Sequence, residues 1–417
     1  MPTTNQPRRR FLRRAAALVG ACSLGWGAGC DDAGERSSAT MADDGPATPR
    51  LPYRGPNVVV VRFGGGVRRP ENNLQPERTF CPFIYHELYR KRGILFSNVE
   101  IESAPGIETS HGQGTLYLLT GKYDQYEDIS HKPFADRFEP KVPTIFEYLR
   151  KHYDIPEHQA LIINGEDRIN EEFYTFSNHH LYGVHYRSTV LSLYRFKTYL
   201  LREELKNPDL DDQARRELQA RLREMEAKDY RTADRKVVSP ELDRFWASWR
   251  DYYGASGLVH PRGDRVLTTL ALRALRELRP RLLMINYQDP DYVHWGNPQF
   301  YTRAISIIDE GVRELFHAVQ ADEGDGQGHT YRDNTVFLVV PDCGRDNNPC
   351  MPVPFQHHFN TRSAHEVFVV AAGPGVARSA VPVDKKRQQA SVAATVGRLM
   401  SFPTPHVEAG PLEELLA

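Results

Sequence analysis

With 417 residues and 40% apolar content, the chain has ample material for a large core, and one big α/β domain with insertions is as compatible with that length as two domains. Net charge is −1 and the isoelectric point lies near 7.0, which excludes a nucleic-acid polyanion as partner.

The amino terminus reads as a targeting segment. Arg8-Arg9-Arg10-Phe11-Leu12-Arg13 has the twin-arginine form, and the weakly apolar stretch Ala15 to Gly29 is too short for a comfortable membrane span. It ends at Gly27-Ala28-Gly29-Cys30, which resembles a bacterial lipoprotein cleavage box with Cys30 as the lipidated residue. Val19-Gly20-Ala21-Cys22 fits the same box but leaves a shorter apolar segment, so Cys30 stands ahead. Residues 1–30 are therefore expected to engage the twin-arginine export machinery. Residues 31–56, rich in Asp, Gly, Ser, Thr, Ala and Pro, form a tether, and the folded domain spans 57–417. The expected location is periplasmic or at the cell surface, on a membrane through a lipid anchor. After cleavage at Cys30 the thiols are Cys81, Cys343 and Cys350; an oxidising compartment permits a Cys343–Cys350 disulfide, and plain reduced cysteines are the alternative.

Val58-Val59-Val60-Val61-Arg62-Phe63 is a β-branched strand, followed at once by Gly64-Gly65-Gly66, where the backbone can take positive φ or approach another group closely. The spaced glycine fingerprint of a nucleotide site is absent from this turn. Thr109 and Ser110 read as a helix start and Gly121 as its stop, which places the hydroxyls and His111 at the positive end of a helix dipole. An anion or a nucleophile is favoured there. Pro143 starts an amphipathic helix, and Ala160-Leu161-Ile162-Ile163-Asn164 is a buried strand. Residues 195–236 are dense in alternating charge, so the segment at about 178–255 is expected to be an inserted, solvated helical arm.

Two further apolar runs follow. Leu282 to Tyr287 leads into Gln288-Asp289-Pro290-Asp291-Tyr292-Val293-His294, and Thr335 to Val340 leads into Pro341-Asp342-Cys343-Gly344. Runs without alternation are strands buried on both faces, as in a parallel sheet covered by helices. Between them Tyr301, Ile305, Ile308, Val312, Leu315 and Val319 form one helical stripe. Ligands bind beyond the carboxyl ends of such strands, where Asp289, Asp291, His294 and Asp342 fall. Gln356-His357-His358 adds imidazoles before the last apolar strand, Val367 to Ala372. Carboxylates and imidazoles at one sheet edge are ligands for zinc, manganese or calcium.

The order strand-Asp-His, helix ending in an aspartate (Asp309), strand-Asp-x-Gly, His, then strand-Gly-Pro-Gly resembles the alkaline phosphatase and sulfatase superfamily. The Leu118-Leu119-Thr120-Gly121-Lys122 helix end and the helix Ser391 to Met400 resemble it too. The likeness covers roughly Asn57 to Pro405, with the middle insert unmatched. It implies a three-layer α/β fold, a mostly parallel sheet with helices on both faces, and a hydrolase or transferase acting on an anionic phosphate or sulfate ester with one or two divalent metals.

Carried over, the resemblance implies one ion held by Asp289 or Asp291, by His294, and by His357 or His358; the family's spacing favours Asp289. A second ion would rest on Asp342, beside which Cys343 stands where the family has histidine. Gly64 replaces an expected aspartate, and the nucleophile position falls on His111, with Ser110 one step off. Two function classes follow: a metal-dependent ester hydrolase in which Ser110 or His111 attacks, and a non-catalytic, surface-tethered descendant that binds a ligand or partner.

Overall fold

Four consecutive valines are stiff at χ1 and suit a pleated surface, so Asn57–Phe63 forms a strand, β1, buried along its whole length. The structure, a computed structural model, describes residues 51–123, 127–128, 138–165, 179–226, 239–255, 263–294, 297–326, 328–346, 348, 350, 353–357 and 361–416. The expected signal, Cys30 and most of the tether lie outside these residues, as does His358.

The other strands are β2 (Gly93–Glu100), β3 (Glu127–Asp128), β4 (Phe138–Glu139), β5 (Ala160–Asn164), β6 (Thr189–Leu191), β7 (Leu282–Tyr287), β8 (Thr335–Pro341), β9 (Glu366–Ala372) and β10 (Arg387–Gln388). Eight of them make one sheet in the order β10-β2-β9-β8-β1-β7-β5-β6, while β3 and β4 pair separately. β1 runs parallel to both β7 and β8, and β7 parallel to β5; β9 alone is antiparallel to both of its neighbours, β8 and β2. The sheet is mostly parallel, as the uninterrupted apolar runs predict.

Alternation along β1 divides the core in two. Val59, Val61 and Phe63 pack with the helices Pro240–Tyr253, Asp264–Glu277 and Pro298–Gln320. Val58 and Val60 face the other way, toward Ile145–His152, Ser391–Leu399 and the end of His111–Thr120. Each fully buried valine stabilises this three-layer arrangement by roughly 1.5–3 kcal/mol.

Several elements differ from expectation. Pro143 precedes the helix Ile145–His152 instead of starting it, because Thr144 and Glu147 close a capping box there. Asp309 lies inside the helix Pro298–Gln320, not at its end. The expected arm is smaller than 178–255: β6 extends the sheet edge, and Phe196, Phe245, Trp246 and Trp249 of the helices Leu193–Glu204 and Pro240–Tyr253 are buried in the first core. The helix Asp212–Glu226 is the solvated part, with no buried residue. Cys81, Cys343 and Cys350 are all free thiols, so the Cys343–Cys350 bridge is not formed. No helix among the described residues is long and apolar enough to cross a membrane.

Candidate metal centre

The register of the sheet brings three strand ends to one level. Phe63 pairs with Tyr287 on β7 and with Pro341 on β8, so Gly64, Gln288 and Asp342 leave the sheet side by side. Gly64 N donates to Tyr287 O at 2.7 Å, and Asp342 N to Phe63 O at 3.0 Å. A Cβ on Gly64 would stand 2.2 Å from Tyr287 O and 2.6 Å from His111 Cε1, so no side chain fits there. Gly65 and Gly66 have φ of 77° and 79°, a region glycine enters without steric cost. That turn points both amides at Asp342: Gly65 N donates to Oδ2 and Gly66 N to Oδ1, each at 3.0 Å.

Asp342 is fully buried and its remaining capacity is also taken. His111 Nδ1 lies 2.6 Å from Oδ2, the Arg62 guanidinium 3.5 Å from the same oxygen, and the Cys343 thiol 3.4 Å from Oδ1. Burial raises the Asp342 carboxyl, but the His111 imidazole and the Arg62 guanidinium outweigh it and hold it below its ordinary value. Arg62 also donates to Thr115 Oγ1 and, at 3.4 Å, to Tyr287 O; its Nη2 lies 3.4 Å from His111 Nε2. Both nitrogens of His111 therefore face partners. This knot is a buried ion network in which both Asp342 oxygens face donors. Cys343 is a poor thiolate: burial first, and the Asp342 charge beside it, push its thiol well above the usual range. It packs with Ile101, Ile107, Tyr117 and Ala390.

A second group does have the character of a ligand set. One ligating atom each of Asp291, His294 and His357 lies within 4.8 Å of the others. Asp291 lies in the 3-10 turn Asp289–Tyr292, and the chain leaves it through Val293 in a non-helical conformation that places His294 Nε2 3.9 Å from Asp291 Oδ1. Asp289 is on the other side. Its amide donates to Asp264 Oδ2 at 2.8 Å, and a Cβ on Gly263 would sit 2.5 Å from its Oδ1. Burial raises the Asp289 carboxyl. The structure thus groups Asp291, not the favoured Asp289, with His294.

His357 is fully buried, and a reciprocal contact holds it: Thr109 Oγ1 donates to His357 O at 2.6 Å, and His357 Nδ1 lies 3.1 Å from Thr109 O. A backbone carbonyl accepts only, so Nδ1 carries a proton. Nε2 faces Asp291 Oδ1 at 3.0 Å, and His294 Nε2 lies 3.9 Å from the same oxygen. Two acceptors at such a distance require a cation beside them, a proton or a metal ion. Burial raises the Asp291 carboxyl, yet His357, His111 and His294 together bring it well below its ordinary value. One carboxylate and two imidazoles fit zinc or manganese; calcium prefers an all-oxygen shell.

Ser110 is the N-cap of His111–Thr120, accepting from Gln113 N at 3.3 Å and donating to Gln113 Oε1 at 2.5 Å. Gly121 closes the helix in the left-handed conformation, as expected. Two residues of the site escaped the sequence reading, Arg62 and Arg345, and Thr109, read as part of a helix start, instead holds His357. Arg62 was detectable as a lone charge at the end of a valine run. Arg345 is 1% exposed, donates to Pro290 O at 2.5 Å and lies 3.4 Å from His294 Nε2.

No protein-family model matches the chain, and no curated protein matches it. Solved structures do. The wild-type alkaline phosphatase PafA is 11% identical with a TM-score of 0.52, over 89% of this chain and 100% of that one. A candidate sulfatase from Bacteroides thetaiotaomicron VPI-5482 is 13% identical with a TM-score of 0.50, over 86% of this chain and 74% of that one. The eight-stranded, mostly parallel sheet with its two helical layers is the alkaline phosphatase-like fold.

Proposed function

We propose that this chain is a metal-dependent hydrolase or transferase of phosphate or sulfate esters that works with one divalent ion, zinc or manganese, held by Asp291, His294 and His357. The observation that carries the reading is the His357 imidazole, whose Nδ1 is turned to Thr109 O so that Nε2 faces Asp291 Oδ1 at 3.0 Å. The ion would supply Lewis-acid stabilisation of charge on a phosphoryl or sulfuryl oxygen. Charge counting adds support. Arg62 offsets Asp342, and a divalent ion with Arg345 near the single Asp291 carboxylate leaves a positive surplus that an anionic ester balances.

Ser110 is the attacking group. Its hydroxyl donates to Gln113 Oε1 at rest, and it stands at a helix amino terminus that favours anions. As the serine oxygen bonds to phosphorus or sulfur and the bond to the ester oxygen breaks, the serine proton passes through solvent to the leaving alkoxide. Water, or a second alcohol in a transferase, then displaces the serine and returns one proton to its oxygen. His111 is a positioning residue that ties the helix start to Asp342.

One observation favours the alternative, a tethered protein that binds a ligand without turning it over: His111 and the Ser110 hydroxyl are both already engaged. We further propose that the chain is exported by the twin-arginine route and held by a lipid on Cys30 at the periplasmic face or cell surface, which rests on the order of arginines, apolar run and small-residue cysteine.

Elemental analysis of the purified mature domain, with turnover of aryl phosphate and aryl sulfate esters, tests the assignment. One zinc or manganese per chain with turnover is the expected result. An ion present without turnover of either ester transfers the assignment to the binding protein, and two ions per chain would overturn the single-ion site.

A further inference from the structure

Beside the triad lies a cleft of about 520 Å³, a size that suits small molecules. Arg68, Arg69, Arg345, Asp346 and Glu366 are among its lining residues. Its two carboxylates are engaged. Asp346 accepts from Gln356 Nε2 at 2.5 Å, from Thr361 Oγ1 at 2.7 Å and from Ser363 Oγ, while Glu366 pairs with Arg69 at 2.6 Å and Arg362 at 3.0 Å.

Two of the three guanidinium groups have capacity left. Arg345, almost wholly buried, has no carboxylate within 4.0 Å among the described residues, and its Nε has no acceptor among them. Arg69 is held by Ser97 O and Glu366, each at 2.6 Å. Arg68 reaches the cleft from a half-buried position and contacts one carboxylate, Glu71, at 3.0 Å. Buried cations are paired in stable proteins, and buried N–H groups find acceptors. A cleft with surplus donors and satisfied acceptors is built for a ligand rich in acceptor oxygens. A guanidinium suits phosphate, sulfate or carboxylate best, because its fork of N–H groups matches two oxygens at once.

We propose that this cleft is a subsite for a second anionic group, so that the substrate is an ester whose alcohol part carries a further phosphate, sulfate or carboxylate. Arg345 sits between the two sites: it lines the cleft and its Nη2 is 3.4 Å from His294 Nε2. This inference rests on the reading of the triad as an ester hydrolase. The cleft itself binds anions with or without the ion.

The first arm of the test is calorimetric titration of the metal-stripped chain with inorganic phosphate. Binding is expected, weakening as ionic strength rises and at least tenfold weaker in Arg68→Gln, a half-buried position whose loss leaves the fold intact. Arg345→Lys is a second variant that keeps the charge but removes the fork, and it too is expected to weaken binding. Phosphate bound only by the metal-loaded chain, with Arg68→Gln without effect, places the anion at the triad and overturns the proposal. The second arm compares turnover of a monoester bearing a second phosphate with its uncharged analogue on the metal-loaded chain. A preference of tenfold or more that Arg68→Gln abolishes supports the subsite, and equal turnover of the two overturns it. Failure to turn over any ester while the metal-stripped chain still binds phosphate would sink the hydrolase reading and leave the anion site standing.

Discussion

Two carboxylates two residues apart, Asp289 and Asp291, have opposite fates, and local geometry decides between them. The 3-10 turn ends at Tyr292, and the non-helical backbone at Val293 brings His294 back to Asp291, while Asp289 turns toward Gly263 and the buried Asp264. Burial, and then the neighbouring Asp289 charge, raise Asp264 well above the usual carboxylate range even though it accepts backbone N–H groups from Gln288 and Asp289. Asp291→Asn or His294→Ala should therefore empty the ion site, whereas Asp289→Asn should leave metal content unchanged; inductively coupled plasma measurement on the three variants decides it, and metal lost only from Asp289→Asn would reverse the assignment. At the nucleophile the contrast is between function and fold. Ser110→Ala should lower turnover by two orders of magnitude or more and cost about 1 kcal/mol as a lost cap. His111→Asn breaks the network around Asp342 and should cost about 2–3 kcal/mol in urea unfolding, an effect on stability first. The same loss of turnover in both variants, with stability intact, would return His111 to the chemistry. The sequence placed Asp289, Asp291, His294 and Asp342 at one sheet edge and Ser110 and His111 at a helix start. It could not say which of them touch, because that depends on turn geometry and on Arg62, a charge near the end of a buried strand.

Elements were legible where one signal was strong. The unbroken runs at β1, β5, β7, β8 and β9 announce strands buried on both faces, and Ser110 and Gly121 bracket their helix as caps should. β2 escaped notice because its apolar run is short and a register shift between Phe96 and Val99 breaks its pairing with β9. The arm was overdrawn because charge density along 195–236 conceals the aromatic residues that helices on either side lay on the core. Asp309 illustrates an element held by a charge from another. Its carboxylate accepts from Phe83 N at 3.0 Å and Ile84 N at 2.8 Å, anchoring the start of the short helix Phe83–Tyr89 to the helix Pro298–Gln320. Burial outweighs those bonds and raises its pKa to about 6. An acid whose pKa is higher when folded binds its proton more tightly in the native state, so stability is fully present below the unfolded value near pH 4 and is lost as pH rises to about 6. The loss reaches about 3 kcal/mol. Asp309→Asn keeps an acceptor oxygen and removes the titration, so relative to the parent the variant should gain stability between pH 4 and pH 6. Urea midpoints at the two ends of that window test this, and a difference that does not change with pH would refute the assignment.

At the scale of the whole molecule, one sheet with two helical layers supplies both the core and the position of the site, and the proposed lipid anchor lies outside it. Among the described residues no helix can cross a bilayer, and the net charge of −1 gives the chain no overall attraction to anionic lipid. In the attachment proposed above, acyl chains on Cys30 would contribute about 0.8 kcal/mol for each buried methylene, enough for stable anchoring when more than one chain is present. In that proposal the polar and small residues from 31 to 56 would serve as the tether. Expressed in a bacterium with a twin-arginine system, the full chain should sediment with membranes and dissolve only in detergent. Cys30→Ser should change the outcome in one of two ways, by releasing an active soluble protein or by leaving an uncleaved precursor, and either moves the mature product out of the detergent fraction. Cys22→Ser should leave fractionation unchanged, because the apolar segment before Cys22 is shorter. If instead Cys22→Ser releases the protein and Cys30→Ser does not, the lipid sits on the earlier cysteine and the tether is eight residues longer than drawn here.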